Sequence, residues 1–437
     1  MRLRPQPISD ERASALVVAL TLYRGIMHAL SPALLRRRAR IGKEDASRLS
    51  ERNGLATRPR PDGPLIWIHG ASVGESLAVL PLVAVLLEKP DRHVLVTTGT
   101  VTSAQLMAER LPPRALHQYV PVDSVNSVRR FLSYWRPDLA LFVESELWPN
   151  LILETRRMGV PLALVNARLS AKSFAGWGYA PRLARRILSC FDACLAQDED
   201  IAKRLTALGA SHVRVTGSLK ADAPPLPVDE YALAGFRAGL GARPVFLAAS
   251  THAGEEEIVL DVATMLRDEG ARTLTVIVPR HPGRGAEIAA LAASRGFSVA
   301  RRANHELLTG QTEVYVADTL GELGLFYRAA QFAFVGGSLV PHGGQNPLEP
   351  AGLGVAVIVG PHTENFDGIV RALLNAQSIG RVTSKEELFS LVQELTRFPE
   401  RALELGTRVK IAAGRLGGAL AATVELSETM LACHARA

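Results

Sequence analysis

Two stretches of the chain can be laid over one another without a gap, 180 residues apart. Leu65-Ile66-Trp67-Ile68-His69-Gly70-Ala71-Ser72-Val73-Gly74-Glu75 and Val245-Phe246-Leu247-Ala248-Ala249-Ser250-Thr251-His252-Ala253-Gly254-Glu255 each read as an apolar run, a turn of small residues and the start of a helix. The next apolar runs, residues 93–97 and 273–277, keep the same offset. A run without polar alternation suits a strand buried on both faces, and a helix behind it implies a crossover to a parallel neighbour. Further runs at 139–143, 161–165 and 193–196, then 314–316, 332–335 and 355–359, continue the alternation. The pattern predicts an α/β chain of two Rossmann-like halves.

At 437 residues the chain is too long for one ordinary core. The break between halves falls within residues 221–228, where Pro224, Pro225 and Pro227 interrupt any regular element. A ligand held by two such domains would meet the carboxyl ends of both sheets. Cys190, Cys194 and Cys433 are odd in number and lack Cys-x-x-Cys spacing, so neither a disulfide framework nor a zinc ribbon is indicated. A net charge of +7 favours anionic partners, but with 5% aromatic residues and no basic-aromatic repeat, nucleic acid is not the expected one.

The N-terminal segment, residues 1–45, is expected to associate with a membrane. Residues 13–22 are apolar, as is most of 25–35, and Arg36, Arg37, Arg38, Arg40 and Lys43 follow. No run of small residues marks a signal-peptide cleavage site, and Arg24 and His28 interrupt the stretch. An Arg at the centre of a spanning helix costs about 2.5–3.5 kcal/mol, so a helix lying in the interface is expected rather than a span. An ordinary packing helix followed by a solvated basic face is the competing reading.

The strongest motif is Ser338-Leu339-Val340-Pro341-His342-Gly343-Gly344-Gln345-Asn346-Pro347-Leu348-Glu349-Pro350, between the strand at 331–335 and a helix opened by Asn346. Helix starts present unpaired N–H groups, so a glycine-rich approach suits a phosphate on backbone donors, with Glu349 placed for ribose hydroxyls. Asn346, Pro347 and Glu349 also satisfy the pattern of a plain helix cap. The glycine pairs at 336–337 and 343–344 favour the nucleotide, since a cap does not need so much open backbone.

Glu75 sits in the first helical turn after a strand, a candidate general base whose alternative is a capping box with Ser72. The helix dipole is expected to keep it ionised. Glu144 and Glu146 follow another strand, where open α/β sheets bind ligands. Lys220 precedes the proline-rich break, where a lysine is usually solvated but could reach a departing phosphate. Arg280, after Pro279, could pair with a phosphate or a pyrimidine edge. Asp318-Thr319-Leu320-Gly321-Glu322 starts another helix, where Gly321 could let a ligand near the N–H groups, with a routine cap as the favoured alternative. Asp198-Glu199-Asp200 has the Asp-x-Asp form of metal-dependent sugar transferases, but it opens a helix and reads as a cap. No Gly-x-Gly-x-x-Gly, Walker A or zinc-type histidine spacing occurs.

Trp67-Ile68-His69-Gly70-Ala71-Ser72-Val73-Gly74-Glu75, Glu144-Ser145-Glu146-Leu147-Trp148-Pro149-Asn150, Asn166-Ala167-Arg168-Leu169-Ser170, Gly217-Ser218-Leu219-Lys220, Pro279-Arg280-His281-Pro282 and the glycine-rich loop ending in Asn346-Pro347-Leu348-Glu349-Pro350 stand in one order. Together they resemble the Kdo transferases, which move 3-deoxy-D-manno-octulosonic acid (Kdo) from CMP-Kdo to a lipid A precursor, lipid IVA. The resemblance implies a GT-B glycosyltransferase, two Rossmann-like domains facing a central cleft. The implied division is an acceptor domain over 46–222 and a CMP-Kdo domain over 223–437. It implies inversion, no metal and no cofactor beyond the donor, at the cytoplasmic face of the inner membrane. By the same likeness Glu75 is the base, and Glu144 and Lys220 stabilise the transition state. Pro279, Arg280, Leu320, Gly321, Glu322, Asn346, Pro347, Leu348 and Glu349 hold CMP. Another GT-B enzyme, such as a lipid A disaccharide synthase or a UDP-sugar epimerase, and a non-catalytic nucleotide-binding protein remain as alternatives.

Overall fold

The computed structural model describes residues 10–434. They divide into two compact units, one within 1–223 and 417–437, the other 224–416. In the first, β1 (Leu65–His69), β2 (His93–Thr98), β3 (Ala115–Tyr119), β4 (Leu139–Val143), β5 (Leu162–Ala167), β6 (Ala193–Ala196) and β7 (Val213–Val215) form one sheet. Its order is β3-β2-β1-β4-β5-β6-β7 and its pairings are parallel. In the second, β8 (Val245–Thr251), β9 (Leu274–Pro279), β10 (Val299–Arg301), β11 (Val314–Val316), β12 (Phe332–Val335), β13 (Ala356–Val359) and β14 (Ile379–Arg381) form another. That order is β10-β11-β9-β8-β12-β13-β14, again parallel.

The central strands are buried throughout because each sends alternate side chains into two cores. Leu65 and Trp67 of β1 join Phe131, Trp135 and Phe142 on one face, while Ile66 and Ile68 join Val79, Leu82 and Leu141 on the other. In the second unit Phe246 and Ala248 face Val259, Ile277 and Phe334, and Leu247 and Ala249 face Phe236, Val276 and Phe326. The repeat expected from the sequence is present, with β1 matching β8 and β2 matching β9. Four strands fall outside the expected runs, β3, β7, β10 and β14. They are the outermost strands of the two sheets. An edge strand is partly exposed and carries mixed residues, such as Val213-Arg214-Val215 and Ile379-Gly380-Arg381, so no apolar run announces it.

Two terminal helices depart from the expected domain plan. The helix Asp10–Arg40 packs on the first unit rather than forming a separate segment over 1–45; residues 1–9 of that segment lie outside the described residues. Arg24, expected as an interruption, points into the protein, where its Nε donates to Asn150 Oδ1 at 3.1 Å. Tyr23 donates to Asp123 at 2.7 Å from the same side. The C-terminal helix Ala419–His434 belongs to the first unit, so the second domain ends near Leu416 and not at 437. Ala419 and Met430 enter the core beside Ile66 and Leu139, and Glu428 receives Arg92 Nη1 at 2.7 Å. Asp222 fixes the entry to this helix by accepting the amides of Gly418 and Leu420, both at 2.7 Å.

Candidate active site

Glu75 follows β1, on the helix Val73–Leu86. The capping-box reading of this residue holds. Ser72 Oγ accepts the Glu75 amide, and the Glu75 carboxylate accepts the Ala71 amide at 2.6 Å and the Ser72 hydroxyl at 2.8 Å, a complete capping box. The carboxylate is not held low as the helix dipole predicts. Burial raises it above the ordinary 4.5, Glu146 and Glu144 raise it further, and the Ser72 and Ala71 hydrogen bonds oppose them. A carboxylate with enhanced proton affinity is the better general base.

Glu144 directly follows β4, which pairs with β1, so Glu75 and Glu144 emerge from adjacent strands at their carboxyl ends. Glu144 has φ 56°, a left-handed conformation that a side chain rarely adopts and that cores retain only under constraint. The constraint is visible: the Glu144 amide donates to Val165 O and its carbonyl accepts the Arg168 amide. Lys220 Nζ lies 3.1 Å from Glu144 Oε1. Lys220 follows β7, three strands away from β4 in the sheet, so the segment after β7 must turn back across the carboxyl ends. Asn166 holds it there. Its Oδ1 accepts the Leu219 amide at 3.0 Å, while buried Leu219 joins the core.

Asn166, fully buried and at φ 49°, is a positioning residue with no role evident from its motif alone. His69 is another. It is fully buried, with Nδ1 3.0 Å from Thr97 Oγ1 and Nε2 3.4 Å from Glu146 Oε2. Burial acts to raise Glu146, but His69 and the Trp148 indole, donating at 2.6 Å, outweigh it and hold Glu146 low. Glu146 is thereby kept charged and adds to the field on Glu75. The signal for His69 was a polar residue closing an otherwise apolar strand.

In the second unit the expected residues lie past the carboxyl ends of β9, β11 and β12. Arg280 follows β9, the turn Leu320–Gly321–Glu322 follows β11, and Asn346 to Glu349 end the loop from β12. The helix here is short, Leu348–Gly352, and begins one residue later than expected, with Pro347 at its cap. Asn346 Oδ1 still accepts the Leu348 amide at 3.1 Å, and Asn346 Nδ2 donates to Glu349 Oε1 at 3.2 Å. Burial raises Glu349, against Asn346 and the charge of Arg280. Glu322 is held low, chiefly by its hydrogen bonds from Arg302, leaving the exposed backbone of Gly321 and the 82% exposed Leu320 as the open parts of that turn.

The glycine-rich loop differs from expectation in where its N–H groups go. The amides of Gly337, Ser338 and Leu339 donate to the carboxylate of buried Glu255 at 2.7, 3.0 and 2.9 Å, and that of His252 joins them at 2.9 Å. The amides of Gly344 and Gln345 donate to Gly337 and Gly336 carbonyls. These donors are therefore satisfied by the protein, those of Gly337 to Leu339 by Glu255. The glycines serve close approach instead: a Cβ on Gly336 would stand 2.5 Å from Ser250 O. Asp198 is the expected cap, accepting the Ile201 amide at 2.7 Å. Among the described residues no group of three or more His, Cys, Asp and Glu side chains is arranged to hold a metal ion.

Two parallel seven-stranded sheets, each with charged side chains at its carboxyl end, are the two Rossmann-like halves of the GT-B fold. In fold the chain is similar to UDP-GlcNAc 2-epimerase from Neisseria meningitidis, with TM-score 0.57 and 15% identity over 83% of this chain and 98% of that one. It is likewise similar to a glycosyltransferase from Rickettsia africae, with TM-score 0.56 and 13% identity over 85% and 99%. The family of 3-deoxy-D-manno-octulosonic-acid transferases (kdotransferases) matches residues 47–223. A probable mitochondrial 3-deoxy-D-manno-octulosonic acid transferase of Arabidopsis thaliana is 37% identical over 400 residues, 88% of this chain and 89% of that protein. The 3-deoxy-D-manno-octulosonic acid transferase of Haemophilus influenzae is 37% identical over 382 residues, 85% and 86% of the two chains. The chain belongs to the Kdo transferase family, enzymes of lipopolysaccharide biosynthesis.

Proposed function

We propose that this enzyme transfers Kdo from CMP-Kdo to a lipid A precursor such as lipid IVA, inverting the anomeric centre, with Glu75 as general base. The observation that carries the reading is the raised proton affinity of buried Glu75 beside the Glu144–Lys220 pair. In this reading the acceptor hydroxyl gives its proton to Glu75 while its oxygen bonds to the anomeric carbon. The bond from that carbon to the phosphate oxygen breaks, and its electrons leave with CMP. Lys220 offsets the growing negative charge, positioned by Glu144. Arg280, Glu349 and the turn at Leu320 to Glu322 hold CMP, with Asn346, Pro347 and Leu348 setting Glu349 in place and Pro279 setting Arg280. No cofactor other than the donor takes part.

The acceptor is a lipid, and the helix Asp10–Arg40 supports docking on the cytoplasmic leaflet of the inner membrane. No described helix is long and apolar enough to cross a membrane. With Arg24 turned inward, Val18, Leu22, Ile26, Leu30 and Leu34 form an exposed stripe four residues apart. Fully burying such a side chain contributes about 1.5–3 kcal/mol, and each basic residue near an anionic surface about 1 kcal/mol. Arg36, Arg37, Arg40 and Lys43 are exposed at the end of the same helix.

Mass spectrometry of a tetraacyl lipid A precursor incubated with the protein and CMP-Kdo tests the reading. A mass gain of one or more Kdo units is expected with the parent protein. Glu75→Gln, which keeps the size and much of the capping geometry, is expected to fold and bind CMP but lose transfer by about 10²–10⁴-fold. Undiminished turnover in that variant would remove Glu75 as the base.

A further inference from the structure

Three imidazoles meet in the second unit at the place where its sheet order reverses. His252 directly follows β8, His281 is two residues past β9, and His342 lies in the loop from β12. β8 pairs with β9 on one side and β12 on the other, the crevice where open α/β sheets take ligands. The rings of His252 and His342 are stacked 4.3 Å apart at 22°, and His281 stands edge-on to His252 at 6.0 Å.

The charges facing this group are mostly positive. Arg280 and Arg284 act on His252 together with His342 and His281, and His252 falls to about 4, through burial first and then these neighbours. The nearby carboxylates are committed elsewhere. Glu255 is bound by four amides, Glu256 and Glu287 pair with Arg284 at 2.7 and 3.1 Å, and Glu349 takes the Asn346 amide. Among the described residues none of the three imidazoles forms an ion pair with a carboxylate. His252 Nε2 lies 3.0 Å from the Gln345 side-chain nitrogen, an arrangement in which the amide donates and the imidazole is neutral. Stacked on a second ring and beside two guanidinium groups, His252 is disfavoured from taking a proton unless an anion joins them.

We propose that His252, His281 and His342 form a phosphate site that takes up a proton when the phosphate of the nucleotide binds. This rests on the reading of the second unit as the CMP-Kdo site and adds the groups that meet the phosphate there. The positive charge acquired on binding is lost again when CMP departs, so donor affinity and product release both depend on pH.

Calorimetric titration of the full chain with CMP near neutral pH, in buffers of different ionisation enthalpy, tests it. CMP is expected to drive uptake of up to about one proton per site, with affinity falling up to about tenfold per pH unit on the alkaline side. Cytidine, which lacks the phosphate, is expected to drive none. His252→Gln and the exposed His342→Gln are each expected to diminish the uptake and weaken CMP binding while cytidine binding stays unchanged. Binding of CMP without proton uptake, or uptake undiminished in both variants, would overturn the site. Should CMP fail to bind while inorganic phosphate binds with uptake, the phosphate site stands and the CMP reading falls; if neither binds, both fall.

Discussion

At the scale of single residues, two buried glutamates that end corresponding strand–turn–helix segments have opposite uses. Glu75 and Glu255 stand 180 residues apart in the aligned repeat. Glu255 spends its carboxylate on the amides of His252, Gly337, Ser338 and Leu339, so Glu255→Ala leaves four donors without their acceptor. A loss of about 3 kcal/mol or more is expected in urea unfolding of the second unit, together with weaker CMP binding. Glu75 is held above 4.5, so its contribution to stability is complete below the unfolded value and is lost as pH rises through the folded one. Glu75→Gln carries no such charge, and its melting temperature should gain on the parent as pH rises from about 4.5 toward neutrality. A constant difference across that range would show that Glu75 does not titrate abnormally. Both glutamates were visible in the sequence as first-turn acids. Which one is committed to backbone amides depends on the β12 loop, more than 80 residues further along in the case of Glu255.

At the scale of elements, the central strands and their following helices were legible because burial on both faces demands uninterrupted apolar runs. The edge strands were not, since one side of each meets solvent or helix ends and tolerates Arg, His and Gln. The helix Asp10–Arg40 was legible as apolar and basic, but its two faces were not separable without knowing that Tyr23 and Arg24 reach Asp123, Asn150 and Glu154. That orientation fixes which changes should matter. Leu22→Glu and Ile26→Glu are expected to lower co-sedimentation with anionic phospholipid vesicles at least tenfold and to leave stability within about 0.5 kcal/mol. Equal destabilisation and unchanged vesicle binding would mean that this stripe is covered by protein.

At the scale of the whole molecule, the chain crosses between its two units twice, and the sequence marks only the first crossing. The proline-rich break at 221–228 is real, and the first crossing falls between Ala223 and Pro224. A second crossing returns residues 417–437 to the first unit, where Asp222 receives them. Deleting residues 417–437 should therefore expose the first core and cost it about 5 kcal/mol, with hydrogen-exchange protection lost in Leu65–His69 and kept in Val245–Thr251. Protection lost in the second sheet instead would contradict this assignment. The sequence by itself determined the two parallel α/β halves, their strand–turn–helix openings and the acids at their carboxyl ends, because these follow from local periodicity and from the chemistry of helix starts. Only the tertiary structure decided that Lys220 meets Glu144, that His252, His281 and His342 gather around β8, and that the last helix serves the first unit. Those partners are distant in sequence and brought together by strand order and burial, which no local pattern encodes.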